Sequence, residues 1–144
     1  MLFRSVITAL LYALTLPPGL PLWMVALGGL VAVWLGKIIF GGLGYNAFNP
    51  ALVGRAFLQA AFPTAMTTWM QPLTPGRFVE VPASLLTFPF TRPEYDAVSG
   101  ATPLAAMKFE DNFEVSGDLL LGFTSGSLGE TGALLILLGG AWLV

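Results

Sequence analysis

The residues of this chain best suited to covalent chemistry lie in one short polar string, Asp96-Ala97-Val98-Ser99-Gly100-Ala101-Thr102. The hydroxyl of Thr102 follows small residues, and Gly100 permits backbone shapes that a modifying enzyme can approach. A hydroxyl is a poor nucleophile without an activating base, so a separate transferase would have to modify it. The structural alternative is a turn in which Thr102 caps a helix that begins with Pro103. From residue chemistry alone, the turn is favoured.

A second candidate is the Gly/Asn-rich segment from Gly41 to Pro50. Three glycines in four positions disfavour a helix, because each costs about 1 kcal/mol relative to alanine. Asn49 and Pro50 are typical of an N-cap and a first helical position. The segment is either a tight turn, which composition favours, or a broken-helix loop that lines a cofactor or ion path.

A third candidate runs from Gly122 to Gly132 and is rich in glycine and hydroxyl residues. Such a loop before a helix N-terminus could hold a phosphate or another anion. Ser127-x-x-Glu130 matches the capping-box pattern, which predicts that a helix opens at 128. Glu130 is then either a plain capping residue or an acid that handles ions, and the sequence leaves both open.

Composition limits the class of protein. Hydrophobic residues make up 56% of the 144 positions and charged residues 10%, with a mean hydropathy of +0.79, whereas a soluble domain carries roughly a quarter charged residues. This composition is typical of a membrane protein and excludes a nucleic-acid binder, which needs a basic face. Without Cys or His, thiolate and imidazole metal sites are excluded, so a redox role requires an organic cofactor.

The apolar segments predict an all-α integral membrane protein, a multispan helical bundle with a folded extracytoplasmic loop. The second segment has twenty residues, which reach about 30 Å as a helix and match a bilayer core. The last apolar run stops without a polar flank, so we expect residues 1–144 to be a single, partial membrane domain of a longer protein. The candidate spans are residues 4–16, 21–40, 50–62 and 128–144, and the loop is 63–118.

Charge predicts the orientation. Arg4, Lys37 and Arg55 flank one side of the candidate spans, whereas the loop 63–118 contains three basic and seven acidic residues. The positive-inside bias therefore places the loop and Thr102 on the outer face of the membrane. Arg55 is expected to snorkel to the cytoplasmic surface. Tryptophans near the span ends are expected to form interfacial belts in contact with lipid: Trp23, Trp34, Trp69 and Trp142.

The first string resembles the sequence at which bacterial flavin transferases attach FMN, Asp-x-x-Ser-Gly-Ala-Thr. The resemblance implies FMN joined through its phosphate to Thr102, with the preceding residues recognised by the transferase. The matching residues of this chain are Asp96, Ser99, Gly100, Ala101 and Thr102.

Further strings extend the resemblance over nearly the whole chain: Leu14 to Trp23, Gly41 to Pro50, Gly54 to Phe57, and Gly126 to Thr131. In this order they resemble the D subunit of the Rnf electron-transport complex and its relative, the B subunit of the sodium-pumping NADH:quinone reductase. Within the segment Gly41 to Pro50, the Gly-Leu-Gly and Asn-Pro strings resemble the Rnf D subunit more than the quinone-reductase B subunit. Gly132 departs from the family, in which a serine follows Gly-Glu-Thr.

The resemblance implies a multi-pass subunit of the bacterial cytoplasmic membrane that carries covalent FMN and works with other subunits. The whole complex would pass electrons between ferredoxin and NAD and move Na⁺ or protons. We expect no turnover from this chain alone. The alternatives are the B-type protein of the quinone reductase, a single-span flavin protein that shares the motif, a flavin-free channel or transporter half, and a purely structural membrane protein.

Overall fold

The computed structural model of this chain describes residues 2–42, 45–70, 83–91, 103–109, 116–127 and 129–143. The regular elements within these ranges are helices, in agreement with the predicted all-α class. Helix α2 continues directly into a π-helical turn, Trp34–Ile38, and a 3₁₀ turn covers Ala83–Leu86. The α-helices are α1 (Leu2–Leu14), α2 (Leu22–Val33), α3 (Pro50–Ala61), α4 (Pro63–Thr67), α5 (Pro103–Phe109), α6 (Ser116–Leu121) and α7 (Ala133–Leu143).

Each predicted apolar segment overlaps one of these helices: α1 begins two residues before the segment 4–16, and the helices in the other three segments are shorter than the segments. The segment 21–40 contains α2 and its π-helical turn, and the segment 128–144 contains only α7. In the described ranges, no helix combines the length and the apolarity needed to cross a membrane. The four membrane spans therefore stay predictions.

Local signals account for the boundaries of α3. The Asn49 side chain accepts a hydrogen bond from the Ala51 N–H at 3.0 Å, and Pro50 occupies the first helical position. This confirms the predicted N-cap and the helix start. At the other end, Phe62 leaves helical geometry before Pro63, and the chain re-enters a short helix, α4.

Helices α1, α2 and α3 form the packed core. Helices α2 and α3 are antiparallel, and three close approaches at four-residue intervals define their register: Gly36 with Pro50, Ala32 with Gly54, and Gly28 with Leu58. A Cβ atom added at Gly54 would lie 2.8 Å from the Gly28 carbonyl oxygen, so small residues at these positions allow the two backbones to approach. The buried core side chains are Tyr12, Leu16, Leu20, Met24, Ala51, Leu58, Ala65 and Met66.

Tyr12 joins α1 to this hairpin. Its hydroxyl donates to the Val25 carbonyl at 3.0 Å. A Cβ atom at Gly28 would collide with this hydroxyl, and one at Gly54 would lie 3.0 Å from the ring carbon Cε2. The short connection between Leu14 and Leu22 joins the end of α1 to the start of α2. The three helices therefore share a core built around one aromatic ring and two glycines.

Candidate functional site

The predicted flavin motif lies outside the residues that the structure describes. The role of Thr102 and its matched neighbours Asp96, Ser99, Gly100 and Ala101 in flavin attachment therefore stays a prediction. The alternative, in which Thr102 caps the helix that begins with Pro103, also stays a prediction. The structure does describe the chain before and after this motif. Those flanks show which end of the helical core the motif is connected to.

The flank before the motif packs on the connection between α1 and α2. Ser84 is buried, and a Cβ atom at Gly19 would lie 3.7 Å from its hydroxyl oxygen. Six residues later, the ring of Phe90 lies 5.7 Å from the ring of Trp23, centroid to centroid. Both contacts are made near the start of α2, so the chain leaves this end of the core shortly before the motif.

The flank after the motif returns to the same end. The Gly129 N–H donates to the Leu14 carbonyl at 2.9 Å, and Leu14 is the last residue of α1. A Cβ atom at Gly129 would lie 2.9 Å from the Leu14 Cβ atom. Phe90 before the motif and Gly129 after it therefore both contact the end of the core formed by the α1–α2 connection.

The loop from Gly122 to Gly132 does not form the predicted helix start. The Ser127 hydroxyl donates to the Glu130 carboxylate at 2.7 Å, and the Glu130 N–H donates to the Ser127 carbonyl at 3.2 Å. These bonds close a turn, and α7 begins at Ala133. The prediction of a helix from 128 was wrong, because the Ser127 hydroxyl bonds the Glu130 carboxylate and does not cap the Glu130 N–H, which donates to the Ser127 backbone carbonyl. The carboxylate of Glu130 is engaged with Ser127, and no anion site is formed by these bonds.

The described residues of the Gly/Asn segment, 41–42 and 45–50, end one helix and cap the next. Gly41 and Gly42 have φ values of +92° and +89°, which favour glycine and end the helix that precedes them. Asn49 is used as the cap of α3. Phe40 and Phe48 meet edge to face across the turn, with 6.3 Å between ring centroids. Whether the segment lines a cofactor or ion path is not tested by these contacts.

Three basic residues, Arg4, Lys37 and Arg55, lie toward the opposite end of the core from the motif flanks. Lys37 follows Gly36, which packs on the first residue of α3, Pro50. Arg4 precedes Tyr12 by eight residues, which is about 12 Å along a helix. The side chain of Arg55 leaves α3 with its Cβ tilted toward the helix N-terminus, and thus toward the same end.

Trp23 differs in burial from Trp34 and Trp142, a difference that the sequence did not predict. Trp34 and Trp142 are 56% and 90% exposed, as expected for side chains that contact lipid. Trp23 is half-buried, and its ring meets Phe62 edge to face with 5.4 Å between centroids. Trp23 lies two residues after Pro21, near the start of a candidate span, where an interfacial tryptophan is also expected. The sequence pattern alone could therefore not distinguish a lipid-facing tryptophan from a partly buried one.

Metal chemistry has no support among the described residues, where no group of three or more potential ligands comes together. The features that bear on function are therefore the motif flanks and the aromatic residues beside them. Both are located at the α1–α2 connection.

Comparison with known proteins identifies relatives over almost the whole chain. Residues 3–144 match the family described as NQR2, RnfD, RnfE. The chain is 40% identical to the D subunit of the ion-translocating oxidoreductase complex of Rhodobacter capsulatus, over 97% of this chain and 42% of that protein. It is 38% identical to the D subunit of the proton-translocating ferredoxin:NAD(+) oxidoreductase complex of Clostridium ljungdahlii, over 96% of this chain and 39% of the relative.

A third relative carries the other family name. The chain is 42% identical to the B subunit of the Na(+)-translocating NADH-quinone reductase of Pseudomonas aeruginosa strain UCBPP-PA14, over 96% of this chain and 31% of that protein. The chain thus spans less than half the length of these curated relatives. The match to the family model and the identity to both kinds of relative show that this chain belongs to the NQR2, RnfD, RnfE family.

Proposed function

We propose that this chain is part of a multi-pass membrane subunit that carries FMN on Thr102 and transfers electrons within an ion-translocating oxidoreductase complex. Family membership supports the kind of complex, because the named relatives are subunits of such assemblies. The flavin is supported by the motif Asp96-x-x-Ser99-Gly100-Ala101-Thr102. A chain without Cys or His has to obtain its redox centre from an organic cofactor.

The observation that carries this proposal is the motif, and the flanks agree with it. A transferase has to reach Thr102, and residues on both sides of the motif are attached to one end of the core through Trp23 and Leu14. Covalent attachment keeps the flavin at a high effective concentration beside its electron partners. The FMN supplies the redox chemistry, and this chain positions it and sets its electrostatic surroundings.

The proposed orientation follows from the distribution of charge at the two ends of the core. Arg4, Lys37 and Arg55 belong to the cytoplasmic end, and the motif flanks belong to the outer end. The partners are the other subunits of the complex, the flavin transferase during maturation, and membrane lipid. Because the chain lacks Cys, single cysteines at Tyr45 and Leu104 can be labelled with an impermeant maleimide in oriented vesicles. Labelling of both positions from the same side would contradict this orientation.

The direct test is the intact mass of the chain after co-expression with a flavin transferase, followed by peptide mapping. We expect an added FMN on the peptide that contains Thr102 and its complete loss in Thr102→Ala. Thr124→Ala, which removes a hydroxyl from the loop before α7, is the matched control and should keep the flavin. Equal flavin on Thr102→Ala, or no flavin on the wild type when the transferase modifies another target, would refute the proposal.

One alternative is that the chain belongs to a quinone-reductase-type complex. The identity to the B subunit of the sodium-translocating quinone reductase is similar to the identity to the D subunits. Assays of the whole complex purified from its source would distinguish the two kinds of complex. The proposal expects oxidation of reduced ferredoxin, and the alternative expects reduction of quinone by NADH.

A flavin-free transporter half is favoured by the glycine turn at 41 and 42. This alternative predicts solute movement by protein that lacks flavin.

A further inference from the structure

Three basic side chains lie at the end of the core opposite to the motif flanks, one on each of its helical segments. Arg4 belongs to α1, Lys37 to the π-helical continuation of α2, and Arg55 to α3. Arg4 is exposed, whereas Lys37 and Arg55 are half-buried. Their charged groups are thus partly removed from water and still accessible to a ligand. We call these three residues the basic end.

The register of the α2–α3 hairpin places Lys37 and Arg55 on the same side. Each directly follows a residue of the interface between the two helices, Gly36 or Gly54. Because a two-fold rotation relates the helices of an antiparallel pair, positions that follow interface residues turn to the same side of the pair. Each Cβ bond also tilts toward the N-terminus of its own helix, so the two side chains start toward one another along the hairpin.

Helix α1 lies on this side of the hairpin as well. A Cβ atom at Gly29 would lie 3.8 Å from the Tyr12 Cε1 atom. Gly29 follows the interface residue Gly28, so it has the same relation to the interface as the two cations of the hairpin. Arg4 precedes Tyr12 by about two helical turns, toward the same end. The three cations therefore share one side and one end of the core.

The described residues place no carboxylate at the basic end. The two acidic residues among them are Asp118 and Glu130. Glu130 is bonded to Ser127 in the turn that is joined to Leu14, at the opposite end of the core. Asp118 accepts from the N–H of Gly122, which lies against Thr131 in that same turn. An anion bound at the basic end would offset the repulsion between its charges and replace the water lost on burial.

Exposed apolar side chains surround the basic end and favour one kind of anion. Each of four such side chains is more than half exposed and lies within three residues of one of the cations: Phe3, Trp34, Ile38 and Leu52. A small anion such as inorganic phosphate uses charge alone, whereas a phospholipid also covers apolar surface. Basic residues between membrane helices on the cytoplasmic side bind the headgroups of anionic lipids.

We propose that Arg4, Lys37 and Arg55 bind the phosphate group of an anionic phospholipid, whose acyl chains lie along the apolar side chains next to them. This inference rests on the proposed function, because the basic end has to face the cytoplasmic leaflet of the membrane. It gives Arg55 a specific partner, where snorkelling alone would only bring its charge to the membrane surface.

The test uses the whole complex, purified in detergent and stripped of lipid, with phosphatidylglycerol as the anionic probe and phosphatidylcholine as the zwitterionic one. Native mass spectrometry counts the lipid molecules bound as each probe is added. We expect tighter binding of phosphatidylglycerol by the wild type. Lys37→Gln and Arg55→Gln should each weaken this binding by roughly fivefold, since one basic residue near a membrane surface contributes about 1 kcal/mol. Lys108→Gln, which removes one positive charge from α5, is the matched control and should keep wild-type binding.

A charge-conserving variant separates loss of charge from loss of structure. Lys37→Arg keeps the positive charge and should keep the binding of phosphatidylglycerol. Equal binding by the wild type and both glutamine variants, or no preference for phosphatidylglycerol over phosphatidylcholine, would overturn this site. Binding of inorganic phosphate without phosphatidylglycerol would overturn it too. The mass of the Thr102 peptide is measured in the same samples, so a missing FMN would refute the flavin attachment and leave the lipid result standing.

Discussion

Helices α3 and α7 are similar in length, but α3 has a polar side with Arg55 and Gln59 whereas α7 is apolar throughout, and the two are used in different ways. Helix α3 places small or aliphatic residues at four-residue intervals, Pro50, Gly54 and Leu58, and buries all three against α2. Helix α7 is apolar on every side, and none of its residues is buried in the described part of the chain. Its Leu135 is 72% exposed and Trp142 is 90% exposed.

The contrast shows what makes a helix pack inside this chain. A helix with one face of small residues has a preferred side, and a close backbone approach on that side brings many atoms into contact. A helix that is apolar all round has no preferred side, which is typical of a buried or lipid-facing helix. We therefore expect mutations in α3 to affect the folding of the chain and matched mutations in α7 to have little effect on it.

The largest effect is expected at Leu58, which is fully buried between Gly28 and the rest of the core. Leu58→Ala should lower the free energy of unfolding by about 2–5 kcal/mol, because it removes buried methyl groups and leaves a cavity. Leu137→Ala, in α7 and 67% exposed, should change it by less than about 0.5 kcal/mol. Denaturant unfolding of both variants in one detergent checks this. Equal losses would remove the proposed difference between the two helices.

A smaller effect is expected from adding a single methyl group at Gly54. Its Cβ would lie 2.8 Å from the Gly28 carbonyl oxygen, a backbone atom that cannot rotate away. Gly54→Ala should therefore destabilise the chain by about 1–3 kcal/mol through overpacking. Gly139→Ala has no neighbouring atom within 4 Å and should stabilise α7 by up to about 1 kcal/mol through helix propensity. Thermal unfolding that ranks the two variants in the opposite order would contradict this.

The smallest effect is expected at the cap of α3. Asn49→Ala removes the acceptor for the Ala51 N–H and should cost about 1 kcal/mol. Asn46→Ala, three residues earlier in the same turn and exposed, is the control and should be neutral. A shift of the unfolding midpoint for both variants would indicate that the turn has a role beyond capping α3.

Local structure followed the sequence closely at some positions. The start of α3 was predicted from Asn49 and Pro50, and the first candidate span ended at residue 16, close to the observed end of α1 at Leu14. These features depend on residues within about one helical turn, so the residue types are sufficient to predict them. The start of α7 was predicted wrongly, because the Ser127 hydroxyl bonds the Glu130 side chain and makes no capping bond to the Glu130 N–H.

The candidate site also combines features that the sequence determines with features that only the packing of the helices decides. The motif from Asp96 to Thr102 and the absence of Cys and His are properties of the sequence, and they define which chemistry is available. The pairing of Tyr12 with Gly28 and Gly54, and of Trp23 with Phe90, joins residues that are far apart in the chain. Such pairs depend on how the helices pack and on which backbone groups find partners. The burial of the Trp23 indole N–H, for which the described residues supply no acceptor, depends on this packing, whereas the presence of the indole follows from the sequence.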